Sequence, residues 1–437
     1  MSSQQSFTFS PGTGTPIDRV ASLLSTLDAE PYYAYERQGH WHVGIGSLAS
    51  LAIESDGQHA TISTLNGSES LAIESSLADV ARNFLRAHPA AGKIFGFAGF
   101  NYAPHIKGLS YHAGRWPLLT LMIPHIELNI HSGGFTISGD GVNRGRYIES
   151  VLKGGETPRG SPHMPDWQTD QHRKAYMQSV EDGLSQIREG RLAKVILSRA
   201  VDLPGSVNMP QTLLTGRKSN TPRTSFCLSH GGFQATGFSP ELVMSLENGR
   251  VTTEPLAGTR SCGSSDAERL KLRQELLSDS KEIVEHVLSV KAAVEELEQI
   301  CSNDSVVVDD FMSIRERGKV QHLGSRVCGQ LNEAKDAWDA FDVLFPSITA
   351  SGIPKQPALE VITSLETRPR ELYSGSVIML EGSDFFEGAL VLRSVYQDEE
   401  KAWVQAGAGI IDQSEPTREF TETVEKLSTI APFVVPL

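Results

Sequence analysis

With 437 residues, 39% of them hydrophobic and 21% charged, the chain has the composition of a globular protein with a sizeable core. A formal net charge of -14 argues against a nucleic-acid binder and makes any anionic substrate depend on locally placed cations. No segment approaches roughly 18 consecutive apolar residues, and the polar start MSSQQSFTFSPGTGTP has no apolar h-region. Neither membrane span nor signal peptide is therefore expected, and a cytoplasmic location is. Cys227, Cys262, Cys301 and Cys328 stand far apart with no CxxC pair, which removes zinc and redox motifs and argues against a disulfide framework.

In chain order, LADVARNFLRAH (77–88) predicts an amphipathic helix. Segment 116–139 predicts two or three strands, broken at Pro124 and at the turn Ser132-Gly133-Gly134. KGGETPRGSPHMPDW (153–167), rich in Gly, Pro and Ser, reads as a surface linker between a sheet-rich part (1–152) and a second part (168–437). Beyond it, 170–190 predicts a helix closed by Gly190, which delivers the chain into the strand AKVILSRAV (193–201). Strands joined by turns follow over 225–260, then one or two helices over 266–300. A hairpin over 388–411 turns at Gln397–Glu400, and a helix over 415–431 has Pro416 in its first turn. Hairpin-paired strands with helices outside them favour an α+β architecture over a doubly wound parallel sheet.

Several residues within these elements carry two readings. Lys194 at the head of its strand is either a lysine with its ammonium in water or a site residue. Glu282 fits a capping box with Asp279, yet it stacks with Glu285 one turn on. Glu419, Glu422 and Lys426 form a stripe that is either a solvated face or part of a site. Two helices each carrying a glutamate pair can hold a hard divalent cation, though spacing alone sets no metal fingerprint. Arg393, inside the apolar run ALVLRSVY, is in an ion pair or awaits a carboxylate ligand. His322 is a core histidine or a site residue.

The ordered set AKVILSR, GFSPELV, PLAGTR, SDSKEIVEHVLSVK, VQHLGS, FPSITASGIPK, RELYSG and QAGAGII…E…E…EK resembles the chorismate-utilising enzymes, strongly over 170–432. Through YERQGHWHVGIG and GFAGFNYAPHIKGLSYHAGRWPLLTL the resemblance extends over nearly the whole chain to their salicylate-forming members of siderophore pathways. It implies one large α+β chorismate-binding body of stacked, largely antiparallel sheets around a central cleft, with Mg²⁺ as cofactor. It implies Lys194 as the base that activates water at C2 and Glu241 as the acid for the departing C4 hydroxyl. It implies Glu282, Glu285, Glu419 and Glu422 around the metal, and Tyr373, Arg393 and the Gly407 backbone at the pyruvyl carboxylate. Lys426, Gly258 and Thr259 match further substrate contacts, and His322 a catalytic-cleft histidine near the ring.

Ammonia-using members carry glutamine where this chain has Lys194, and aminodeoxychorismate synthases typically carry lysine where it has Ala257. Both departures point to water as nucleophile, without a glutaminase subunit, in a chain expected to be monomeric. The expected reaction is chorismate to isochorismate, then loss of pyruvate to give salicylate. An isochorismate synthase that stops after the first step is the rival enzyme, and a non-catalytic chorismate binder the rival outside that class.

Overall fold

The computed structural model describes residues 6–9, 14–27, 29–139, 142–154, 160–162, 170–318 and 320–437. Most of the linker expected over 153–167 lies outside these residues; its first two positions continue the helix Val142–Gly154. Among the described residues the strands form two large sheets, of eleven and twelve strands, paired antiparallel throughout. Both sheets draw strands from either side of the linker. In the eleven-stranded sheet Tyr32–Arg37 pairs with Thr224–His230, and in the twelve-stranded sheet Ile94–Ala98 pairs with Ser376–Glu381. The chain thus forms one α+β body. Tyr33, Phe97, Met379 and Trp403 belong to one buried layer contributed by both sheets. Each large apolar side chain buried this way contributes about 1.5–3 kcal/mol.

Local chemistry sets the element ends. Ser76 caps Leu77–Ala87 by accepting from the Asp79 N–H. Asp170–Arg188 stops before Gly190, whose φ of 77° takes the left-handed conformation that suits a helix end. The segment 266–300 forms two helices, Asp266–Ser278 and Ser280–Leu297, because Asp279 leaves helical geometry and accepts from the N–H groups of Lys281 and Glu282. The capping box expected with Glu282 is not closed, since the Glu282 carboxylate accepts instead from Arg260 at 3.0 Å.

One expectation is corrected where the sheets exchange chain. ALVLRSVY is not a single strand: Phe385–Leu390 lies in the twelve-stranded sheet and Ser394–Gln397 in the eleven-stranded sheet. Arg393, at a φ of 52°, sits in the passage between them. The hairpin expected over 388–411 is accordingly shortened to Ser394–Gln397 and Ala402–Ile410. A second passage runs through Pro240 and Glu241, from Phe233–Ser239 to Leu242–Glu247. The two passages are tied together. Ser239 Oγ donates to the Leu390 carbonyl at 2.6 Å, and the Leu390 N–H donates to the Glu241 carbonyl at 3.1 Å. The Phe238 N–H donates to the Arg393 carbonyl at 3.2 Å. Glu241 and Arg393 are thereby fixed where the sheets meet.

Two helices close the space beside this junction. Ser280–Leu297 packs on strands Leu256–Ser261 and Val320–Gln330 of the twelve-stranded sheet, and Pro416–Leu427 packs on Ala402–Ile410 of the other. Among the described residues no helix is long and apolar enough to cross a membrane.

Candidate active site

A cleft of about 870 Å³ opens between these two helices and the sheet junction. Eleven of the thirteen residues singled out in the sequence line it. Lys194 and Glu419 do not, and instead lie buried behind it, each 0% exposed and each paired to a residue that does.

Lys194 opens the strand Lys194–Asp202, which pairs with Ala402–Ile410 on one side and with Gly352–Ile353 at its start. Its Nζ lies 2.9 Å from Glu285 Oε1 and donates to Ser289 Oγ at 3.3 Å. The reading of a strand-end lysine with its head in water is therefore excluded. The close approach depends on Gly409, where a Cβ would stand 2.8 Å from Glu285 Oε1 and 3.4 Å from Lys194 Cε. Arg199 does not share the Lys194 environment. Five residues on, strand alternation turns it to the opposite face, where its Nε donates to Thr423 Oγ1 at 2.8 Å.

Glu241 is 1% exposed. Ser347 Oγ and Thr349 Oγ1 both donate to its Oε1 at 2.7 Å, while buried Oε2 has no hydrogen-bond partner among the described residues. Burial pushes this carboxyl up to about 8, against the pull of the two hydroxyls and of Lys194. A carboxyl in that state is neutral at pH 7 and has a proton to give, and the doubly engaged Oε1 leaves Oε2 as the oxygen that carries it.

Arg393 Nη2 donates to His322 Nε2 at 2.6 Å. A guanidinium cannot accept, so Nε2 must, and the imidazole proton sits on Nδ1, which donates to the Gly258 carbonyl at 2.9 Å. Burial, then Arg393, holds His322 well below the usual histidine value. The catalytic role expected for His322 meets a ring with both nitrogens engaged, Nε2 by Arg393 and Nδ1 by the Gly258 carbonyl. Among the described residues no carboxylate pairs with Arg393, so the ion-pair alternative fails. Burial and the neighbouring Arg317 lower it to about 10. This is a buried guanidinium fork in the cleft lining, a geometry that suits a carboxylate.

Gly258 and Thr259 fall where the ladder between Leu256–Ser261 and Val320–Gln330 shifts register. The bulge needs the left-handed φ of 65° at Gly258, and a Cβ there would stand 2.9 Å from Glu282 Oε2. Tyr373 sits in the turn Arg370–Gly375, and its hydroxyl is 3.0 Å from where a Gly407 Cβ would be. Lys426 Nζ donates to the Gly407 carbonyl at 2.9 Å and pairs with Glu422 at 2.7 Å.

The stripe Glu419, Glu422, Lys426 is not a solvated face; it turns toward the cleft wall. Each of the four glutamates is held by its own cation: Glu282 by Arg260, Glu285 by Lys194, Glu419 by Lys281 at 3.1 Å, and Glu422 by Lys426. Burial, then the charge of Glu285, raises Glu282. Burial, then the charge of Glu422, raises Glu419, whereas at Glu422 burial is outweighed by Lys426, Lys281 and Arg418 together, which keep it below the usual carboxylate range. Among the described residues no hydrogen-bond partner meets the buried Glu419 Oε2. Hard oxygen donors, mutual repulsion and an unpartnered buried oxygen suit a divalent cation such as Mg²⁺. With each carboxylate drawn to its own cation, no three of them bring ligand atoms within 4.8 Å of one another. Among the described residues only Glu54, Asp56 and His59 do so, and these are exposed.

Sequence reasoning passed over Lys281, Ser347, Thr349 and Arg370. Lys281 precedes Glu282, and Ser347 and Thr349 lie in FPSITASGIPK, so proximity to quoted motifs was their available signal. Arg370, 2% exposed, pairs with Glu366 at 2.6 Å and donates to the carbonyls of Ile196 and Ala350, joining three walls of the cleft.

The chorismate binding enzyme family model matches residues 29–432. The chain is 37% identical to the salicylate synthase of Mycolicibacterium paratuberculosis over 96% of its own length and 94% of that relative. It is 31% identical to anthranilate synthase component 1 of Methanothermobacter thermautotrophicus, over 87% of this chain and 81% of the relative. Among solved structures, the menaquinone-specific isochorismate synthase of Escherichia coli superposes with a TM-score of 0.77 at 22% identity, over 99% of this chain and 94% of that one. Anthranilate synthase component I of Streptococcus pneumoniae gives 0.76 at 23%, over 90% and 92%. At these identities the two structures establish likeness of fold.

Proposed function

The chain belongs to the chorismate binding enzyme family, and from that premise we propose that it is a Mg²⁺-dependent salicylate synthase, converting chorismate to salicylate and pyruvate through isochorismate. The observation that carries this reading is the buried Glu241 carboxyl, held through Oε1, facing the same cleft that Lys194 backs and Arg393 lines. The likeness to a salicylate synthase over nearly the full length of both chains supports the choice of product.

In the proposed mechanism Lys194 is the base that takes a proton from water as that oxygen bonds to C2. Glu241 Oε2 gives its proton to the C4 oxygen, which departs as water while the ring double bonds shift. Arg393, propped by His322, grips the pyruvyl carboxylate beside Tyr373 and the Gly407 backbone, and Gly258, Thr259 and Lys426 complete the substrate contacts. Glu282, Glu285, Glu419 and Glu422 would hold Mg²⁺, which when bound anchors the C1 carboxylate and offsets its charge. In the second step the C2 hydrogen moves to the pyruvyl methylene carbon as the C3–O bond breaks, releasing pyruvate. There the residues hold the side chain over the ring, a positioning role.

Lysine at 194 and alanine at 257 support water over ammonia as nucleophile. The enzyme is accordingly proposed to work without a glutaminase subunit, as a cytoplasmic monomer whose product feeds siderophore assembly. The second reading, an isochorismate synthase, uses the same acid and base. Incubation with chorismate and Mg²⁺ separates them: salicylate fluorescence with equimolar pyruvate supports the proposal, and isochorismate as the sole end product overturns it.

A further inference from the structure

We infer that Lys281 is a resident counter-ion of the carboxylate cage, and that a divalent cation enters by displacing its ammonium from Glu419 into the cleft. The inference rests on the metal-cage reading above and adds a role for a residue outside the expected ligand set. Lys281 lines the cleft, and its Nζ stands 3.1 Å from Glu419 Oε1. Glu419, Glu282 and Glu285 together stabilise that ammonium against the cost of burial.

Three of the four cations on the cage are tied in place. Lys194 is enclosed and also bonded to Ser289, Lys426 is also bonded to the Gly407 carbonyl, and Arg260 also pairs with Asp279. Lys281 differs. Glu419 is the one hydrogen-bond partner of its Nζ among the described residues, and its side chain is 25% exposed, so it has a way out. Glu419, by contrast, is enclosed, and among the described residues Lys281 is its one ion-pair partner.

An ammonium on Glu419 Oε1 repels a divalent cation approaching the same carboxylate in a poorly hydrated site, and of the four cage cations Lys281 is the one with room to withdraw. Divalent binding and a seated Lys281 therefore oppose each other, and the ammonium lowers metal affinity. It also compensates Glu419 before metal arrives, because an uncompensated buried carboxylate is costly. The spread of the carboxylates, no three of them within 4.8 Å, is the state expected while the lysine is seated.

The test is direct Mn²⁺ binding, followed by the electron paramagnetic resonance of free Mn²⁺ at pH 8, on metal-free full-length protein without substrate. Lys281→Met should bind Mn²⁺ at least tenfold more tightly than the unaltered protein. A lysine that merely braces the helix start would give weaker binding when removed. Unchanged or weaker binding by the variant, with the unaltered protein binding Mn²⁺, overturns the displacement and leaves the metal reading standing. No binding by the unaltered protein at millimolar Mn²⁺ overturns both. Should Lys281→Met fail to fold, acetylation of the unaltered protein decides. Lys281 should be labelled several-fold faster at saturating Mg²⁺ than without it, and equal or slower labelling overturns the proposal.

Discussion

Lys194 Nζ and Glu285 Oε1 stand 2.9 Å apart beneath the cleft, close enough only because position 409 carries no side chain. The proposed base and a proposed metal ligand are thus one ion pair. Replacing Lys194 by Gln removes the base and leaves Glu285 without its cation. Turnover of chorismate should fall by at least a factor of about 10³, while Mg²⁺-dependent quenching by a bound chorismate analogue persists. Stopped assays of chorismate consumption alongside a ligand titration check both halves.

Glu241→Gln keeps the shape of the side chain and removes its proton. Loss of the C4 hydroxyl should stop, seen as unconsumed chorismate. The same variant should gain stability in a pH-dependent way. The folded-state value of Glu241, about 8, lies above its ordinary 4.5. Its contribution to stability is therefore complete below about 4.5 and is lost as pH rises toward 8. At pH 8 to 9 the variant should be the more stable by up to about 3–5 kcal/mol, and at pH 4.5 the difference should vanish. Denaturant melts across that range measure it.

Activity of the unaltered protein should decline on the alkaline side as Glu241 gives up its proton near pH 8. Removing the Ser347 and Thr349 hydroxyls, which favour the charged form, should move that decline to higher pH. A pH profile of kcat for Ser347→Ala combined with Thr349→Val reads the direction.

Arg393→Lys preserves the charge and loses the planar fork. KM for chorismate should rise about 10- to 100-fold, with a smaller change in kcat. His322→Phe, which removes the prop without touching the guanidinium, should shift KM in the same direction and by less.

Glu419→Ala should raise the Mg²⁺ concentration needed for half-maximal activity by an order of magnitude or more. A metal titration at saturating chorismate shows it, and an unchanged midpoint removes Glu419 from the ligand set.

Much of this arrangement is legible in the sequence, for reasons that differ by residue. The helices 77–88 and 170–190 announced themselves through periodicity and end residues, and the turns at Pro124 and Gly133 through their composition. Arg393 misled because an apolar run reads as one strand, whereas its left-handed backbone and the change of sheet follow from long-range packing. Lys194 and the glutamates were chemically suggestive but ambiguous, since local spacing cannot tell a solvated stripe from a cleft wall. Ser347 and Thr349 act on Glu241 from about a hundred positions away, and no local pattern marks a hydroxyl for such a task. His322 was visible as a cleft histidine, but its engaged nitrogens depend on Arg393, which arrives from another part of the chain.

The two passages between sheets bear on how this protein would lose function. Because Glu241 and Arg393 each lie in a strand-to-strand passage tied to both slabs, neither can shift while the slabs remain packed. Inactivation by denaturant should then coincide with loss of near-ultraviolet dichroism from the aromatic layer, rather than precede it as happens where a mobile flap melts first. Function here has no softer mode of failure than the disassembly of the whole body.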